Sequence, residues 1–157
     1  MSGIYKTNHF RIEELVSPEF YEANKSRGEL MWLAFDARVL ITLDLLRKVY
    51  GPLTVNDWLW GGPFKYSGLR SMDCEEGAAL SQHKFGRAAD AKFKNVTADE
   101  VRNDMRKKGL LAPENKWSGS RCFDSITCIE ETPNMSWFHF DVRNWDAVQY
   151  GVRVVKG

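Results

Sequence analysis

Along the first third of the chain, apolar residues recur at helical intervals. Val39, Leu40, Leu43, Leu46 and Val49/Tyr50 mark one face of a helix over 36–50, and Gly51-Pro52 stops it. Shorter helical pieces are expected around Ile12–Leu15 and Pro18–Asn24, inside an N-terminal arm that runs to about residue 35. Leu53–Val55 reads as a short strand entering the turn-rich loop Asn56-Asp57-Trp58-Leu59-Trp60-Gly61-Gly62-Pro63. From residue 88 the period changes to two. Ala89, Ala91 and Phe93 fall on one face of a strand and Ala88, Asp90 and Lys92 on the other. Thr97 and Glu100 have capping-box spacing and open a helix through Val101 and Met105 that ends near Gly109. Ser125–Glu131 and Trp137–Arg143 predict a β-hairpin around Thr132-Pro133-Asn134-Met135, and Val152–Val155 a last short strand. In the second hairpin strand Phe138, Phe140 and Val142 oppose His139, Asp141 and Arg143. The expected architecture is α+β, with helices packed on a small, largely antiparallel sheet.

Length and composition narrow this picture. A chain of 157 residues without repeat, low-complexity tract or linker predicts a single domain spanning 1–157, with the first 35 residues as an arm packed on it. Aromatics at 13%, with six Trp and nine Phe, predict a core rich in rings. Basic and acidic residues nearly cancel, for a net charge of +1, which argues against nucleic acid or an anionic membrane as a partner. Cys74, Cys122 and Cys128 are an odd number at unrelated spacings, expected as reduced thiols. The N-terminal residues Met1-Ser2-Gly3-Ile4-Tyr5-Lys6 contain no export signal, which predicts synthesis into a cytoplasm.

The candidate chemistry lies in two segments, Ser81–Asp90 and Trp137–Arg143, which hold two of the three histidines. Two imidazoles and a carboxylate can hold a catalytic zinc and leave its fourth position open. His83 and Asp90 are too far apart for one helical turn, but Gly86 permits a tight loop that aims both at one ion. His139 would arrive from the hairpin. The plainer alternative makes His83 a loop cap, Asp90 a surface ion pair and His139 a hydrogen-bonded hairpin residue. His9 reads as a surface residue and Cys74 as an incidental or buried thiol. None of Trp58, Trp60, Trp117, Trp137 and Trp145 is assigned to glycan binding, and Asn56-Asp57-Trp58 at most lines a cleft.

Ser81-x-His83-x-x-Gly86-x-Ala88-x-Asp90 followed by Trp137-Phe138-His139-x-Asp141 resembles the zinc D-alanyl-D-alanine carboxypeptidases and L-alanyl-D-glutamate endolysins, relatives of the Hedgehog domain and of lysostaphin-like enzymes. Tyr66-Ser67-Gly68-Leu69-Arg70-Ser71 is similar to that family's arginine-bearing segment, and the run from about Phe10 to Arg143 reads like its small phage-encoded members. Five fixed residue types at set spacings make the first motif specific. The resemblance implies a Hedgehog/D-Ala-D-Ala peptidase-like fold and one zinc ion on His83, Asp90 and His139. It implies that Arg70 stabilises the scissile carbonyl and helps bind substrate, and that Ser81 holds the substrate peptide. A structural salt bridge for Arg70 and a loop cap for Ser81 are the plain alternatives. Zinc in this family polarises the amide carbonyl and acidifies water, and a nearby cation offsets the charge that develops on oxygen.

The general base departs from the pattern. Many relatives place a glutamate three residues before the last histidine, where this chain has Ser136. Glu130 is the favoured substitute, ahead of Glu131 and Asp141. Asp141 has a second role open to it, orienting an imidazole. The activity so implied is hydrolysis of peptidoglycan stem peptides, either as a carboxypeptidase removing terminal D-alanine or as an endopeptidase at L-Ala-D-Glu. It would act in phage lysis from the host cytoplasm or as a virion-associated protein. The rival readings are a non-enzymatic zinc domain of the same fold with virion proteins or other proteins as partners, and an intracellular dipeptidase that never meets intact wall.

Overall fold

The computed structural model describes residues 3–114 and 121–157; Met1, Ser2 and Trp117 lie outside them. Four helices, α1 (Pro18–Asn24), α2 (Ala37–Tyr50), α3 (Ala98–Lys107) and α4 (Ala147–Tyr150), accompany five strands. The strands are β1 (Leu53–Thr54), β2 (Ala88–Phe93), β3 (Cys128–Glu130), β4 (Phe138–Asp141) and β5 (Arg153–Val155). They form one open sheet in the order β1-β2-β4-β3-β5, antiparallel throughout except for the β3–β5 pair. The mixed α+β class and the mostly antiparallel sheet agree with the sequence expectation. No helix among the described residues is long and apolar enough to cross a membrane.

Local chemistry explains the elements. Asp36 caps α2 by accepting from Arg38 N–H, and Thr97 and Glu100 complete a reciprocal capping box on α3. Each such cap stabilises a helix by about 1 kcal/mol. In the last turn of α2 the apolar face takes Tyr50 of the two expected candidates. Val39, Leu40, Leu43 and Leu46 are buried, but Val49 is 60% exposed. The stripe continues from Leu46 to Tyr50 one helical turn on. Tyr50 packs its ring edge against Phe93 and donates its hydroxyl to Asp104 Oδ2 at 2.7 Å.

Period-two alternation sorts the sheet into a dry face and a chemical face. Ala89, Ala91, Ile129, Phe138, Phe140 and Val142 join the core under α2 and α3. Asp90 faces the other way, directly across from His139 in the β2–β4 register, and Ala88 lies across from Asp141. The hairpin forms as expected but with shorter strands, because a turn with Ile126 N–H bonded to Phe123 O occupies the start of the predicted first strand.

The N-terminal arm is part of the core. Leu15 and Val16 are fully buried, and Val16 bridges to Leu69 in a parallel pair. Buried Asp44 of α2 fastens the arm by accepting from Tyr5 Oη and from the backbone N–H of Asn8 and His9. His9 is exposed as expected, with Nδ1 3.1 Å from Asp44. The tie matters for the site, because the arm supports the segment Ser67–Arg70 on which His83 rests.

Candidate metal centre

His83 stands in a 3₁₀ turn, Gln82–Phe85, whose two ends account for the Ser-x-His-x-x-Gly spacing. Ser81 caps its start, its Oγ accepting from His83 N–H, so the loop-cap role foreseen for it is real. Gly86 ends it at φ 66°, and a Cβ there would lie 2.0 Å from Ala34 O. Only glycine meets both conditions. The turn delivers the chain into β2, which carries Asp90. Ala88 is fully buried across from Asp141, and its methyl leaves room on that face for the buried carboxylate.

The three predicted ligands converge. One donor atom each from His83, Asp90 and His139 lies within 4.8 Å of the others. Asp90 Oδ1 is 2.8 Å from His139 Nδ1 and 3.4 Å from His83 Nε2. Ligand atoms around a tetrahedral zinc with bonds of 2.0–2.1 Å stand about 3.3 Å apart, so the cluster needs little adjustment to accept one. The tautomers fit as well. His83 Nδ1 donates to Gly68 O at 2.9 Å, which leaves the Nε2 lone pair facing Asp90. His139 Nε2 lies 3.0 Å from Asp141 Oδ2, which leaves Nδ1 for an ion. His83, Asp90 and His139 are therefore placed so that they can hold a metal ion.

Electrostatics reflect the crowding. Burial works against charge on His139, yet the bonded carboxylates of Asp141 and Asp90 outweigh it and raise its pKa to about 9. Burial opposes ionisation of Asp90, but the two imidazoles hold its carboxyl far below the usual range. Asp141 is lowered against its own burial by His139 and Arg143. Lys92, on the same strand face, does not reach the cleft. Its ammonium turns to Val55 O and Ser67 Oγ, and burial lowers its pKa to about 8.

A cleft of about 340 Å³ opens over the cluster, walled by Arg70, Ser81, Gln82, Glu130, Trp137 and Arg143 among others. Arg70 is anchored by two of its own bonds, Nε to Tyr66 O at 2.7 Å and Nη1 to Glu76 O at 3.1 Å. The salt bridge considered for it is absent among the described residues. Of the three carboxylates considered as base, only Glu130 lines the cleft. Its Oε1 is 3.8 Å from His139 Nε2, on the side of the ring away from Asp90. Glu131 points off the site and pairs with Arg106 of α3. Asp141 is fully buried, with both oxygens engaged by Arg143 and one also by His139. These bonds hold it against the imidazole and leave neither oxygen facing the cleft, so its surroundings do not support the base considered as an alternative there.

Four contributors carried no site role in the sequence reading. Gly68 supplies the carbonyl that fixes His83, and a Cβ on it would meet Leu15 O at 2.0 Å. Trp137 and Gln82 wall the cleft, and Gln82 Oε1 is buried with no partner among the described residues. Arg143 shares the alternating face of His139 and Asp141, a signal the sequence did contain. Conversely, Asn56 and Trp58 stay away from the cleft. Both donate to Val16 O, and Asn56 Oδ1 accepts from Ser67 N–H, so they brace the arm instead. Cys74 lies in a separate, acidic cavity of about 600 Å³ beside Glu19, Asp73, Glu75 and Glu76. No disulfide joins Cys74, Cys122 and Cys128.

Compared with protein-family models, curated proteins and solved structures, the chain matches none.

Proposed function

We propose that this protein is a zinc metallopeptidase of the D-Ala-D-Ala carboxypeptidase and L-Ala-D-Glu endopeptidase type, with the Hedgehog-like fold of that group, acting on peptidoglycan stem peptides. The observation that carries the reading is the convergence of His83 Nε2, Asp90 Oδ1 and His139 Nδ1 at the floor of an open cleft. His83, Asp90 and His139 would hold a zinc ion, which when bound would supply Lewis acidity to a carbonyl oxygen and to a water molecule.

The chain's own residues then divide the work. Glu130 takes the proton of the attacking water and returns a proton to the departing amine nitrogen. This step requires its side chain, 32% exposed and now 3.8 Å from His139 Nε2, to turn to the ligand side of the ring. Arg70, held by two backbone carbonyls, presents a positioned cation to the carbonyl oxygen as negative charge grows there. Asp141 keeps His139 in one orientation and one tautomer. Ser81 lies beside the cluster, where its hydroxyl is open to a substrate backbone group as well as to its capping bond.

A second reading, a zinc domain of the same fold that binds without catalysis, is favoured by two observations. Ser136 stands exposed where many relatives carry glutamate, and Glu130 approaches His139 from the side away from the ligands. Mass spectrometry of purified peptidoglycan and soluble muropeptides after incubation with the zinc-loaded protein separates the two. A chelator-sensitive product whose mass names a D-Ala-D-Ala or L-Ala-D-Glu cut is the expected result. No product from folded, zinc-bound protein contradicts the peptidase reading and leaves the binding domain. Cutting of free dipeptide alone, with polymer untouched, assigns an intracellular dipeptidase.

A further inference from the structure

Arg143 is a cleft residue whose bonding capacity is only partly used. Its Nε and Nη2 donate to the two oxygens of Asp141 at 2.8 and 2.6 Å. A guanidinium has five N–H donors, so three have no hydrogen-bond partner among the described residues, including both on Nη1, and the side chain lines the cleft. Asp141 Oδ2 accepts from both Arg143 Nη2 and His139 Nε2, which sets the guanidinium next to the ligand imidazole. Of the other cations nearby, Arg70 is held by two loop carbonyls and is assigned above to the carbonyl oxygen, and Lys92 is turned to Val55 and Ser67.

We propose that Arg143 is the carboxylate-recognising residue of this cleft, and that the substrates it selects carry a free α-carboxylate on the residue whose nitrogen leaves. This rests on the peptidase reading and narrows it. The two candidate bonds share that chemistry. At a D-Ala-D-Ala terminus the departing D-alanine bears the terminal carboxylate. At L-Ala-D-Glu the stem continues through the γ-carboxyl, so the α-carboxylate of the departing glutamate is free. Either group sits one carbon from the scissile nitrogen, and a planar guanidinium edge fits it with paired N–H···O bonds. Asp141 holds the guanidinium still beforehand, so little ordering is left for the substrate to impose. Charge allows it: two arginines against Asp90, Asp141 and Glu130 leave one negative charge, which a divalent ion reverses.

The test compares each peptide with its amide on the zinc-loaded full chain. One pair is a stem pentapeptide ending in D-Ala-D-Ala as acid and as C-terminal amide. The other is an L-Ala-γ-D-Glu tripeptide and its D-isoglutamine counterpart. Cleavage is read as kcat/KM, and binding by calorimetry on Glu130→Gln. Wild type is expected to prefer the acid by about 10–100-fold, the loss that follows from one charged hydrogen-bonded pair, and the pair that shows the preference names the source of the carboxylate. In Arg143→Gln the preference falls to within about threefold, with Arg143→Lys between. A merely structural arginine would weaken acid and amide alike. Equal handling of acid and amide by wild type, or a preference that survives Arg143→Gln, overturns the clamp and leaves the peptidase standing. Neither peptide bound nor cut by zinc-loaded wild type overturns the peptidase reading, and the clamp with it.

Discussion

His139 Nε2 and Asp141 Oδ2 lie 3.0 Å apart, on the opposite side of the imidazole from the Nδ1 that faces Asp90. In the proposed centre Asp141 thus orients a ligand without being one. Asp141→Asn is expected to weaken zinc binding by about 10–100-fold while the fold is kept. Competition against a chelating dye checks it, and unchanged affinity would mean that His139 holds its orientation by strand packing alone.

Zinc and protons compete for the same imidazole. In the metal-free protein the pKa of His139 is raised to about 9, above the 6.5 of a free side chain. Its contribution to stability is therefore complete below pH 6.5 and is lost as pH climbs to 9. Zinc needs the neutral ring, so its stabilisation grows across that window. The midpoint of metal-free unfolding should fall between pH 6.5 and 9 while the zinc-induced rise in midpoint increases. Binding at pH 7 should release about one proton from His139, measurable by calorimetry in buffers of different ionisation enthalpy.

Glu130 and Glu131 are adjacent in sequence and separated in role. Glu130→Gln should retain zinc and lose about 10²–10⁴ in kcat. Glu131→Gln removes only a partly exposed ion pair with Arg106, so activity should hold and stability change by no more than about 1 kcal/mol. Steady-state kinetics with zinc analysis on both variants decides the assignment. Equal losses would remove Glu130 from the mechanism.

Gly68 couples the arm to the metal centre. A methyl at this position would meet Leu15 O at 2.0 Å, and the same residue's carbonyl orients His83. Gly68→Ala should cost about 1–3 kcal/mol and lower zinc affinity together. Denaturant unfolding with and without zinc measures both. Loss of stability with intact affinity would show that His83 does not depend on this carbonyl.

The elements with strong periodicity or caps were legible from residues alone: α2, α3, β2 and the hairpin all lie where their patterns place them. Alternation in 137–143 placed His139 and Asp141 on one face, and the cross-strand pair with Asp90 follows from it. Position along the helix left Val49 and Tyr50 as alternatives, because two neighbouring apolar residues compete for one stripe and only the packing of Tyr50 on Phe93 decides. The sequence favoured Glu130 over Glu131 and Asp141, but the contacts that separate the three were not legible. The separation depends on which groups Arg106 and Arg143 draw away from the cleft, and those are contacts between elements distant in sequence or turned by side-chain rotamer. Gly68 was invisible as a site residue for the same reason, since its function is the room it leaves for Leu15.

X-ray absorption at the zinc edge, on stoichiometrically loaded protein, tests the metal centre most directly. One zinc per chain, with a first shell of nitrogen and oxygen only at about 2.0–2.1 Å and the outer-shell signal of two imidazoles, is the predicted result. A sulfur shell near 2.3 Å, or folded protein that takes up no zinc, would contradict the assignment of His83, Asp90 and His139 as its ligands.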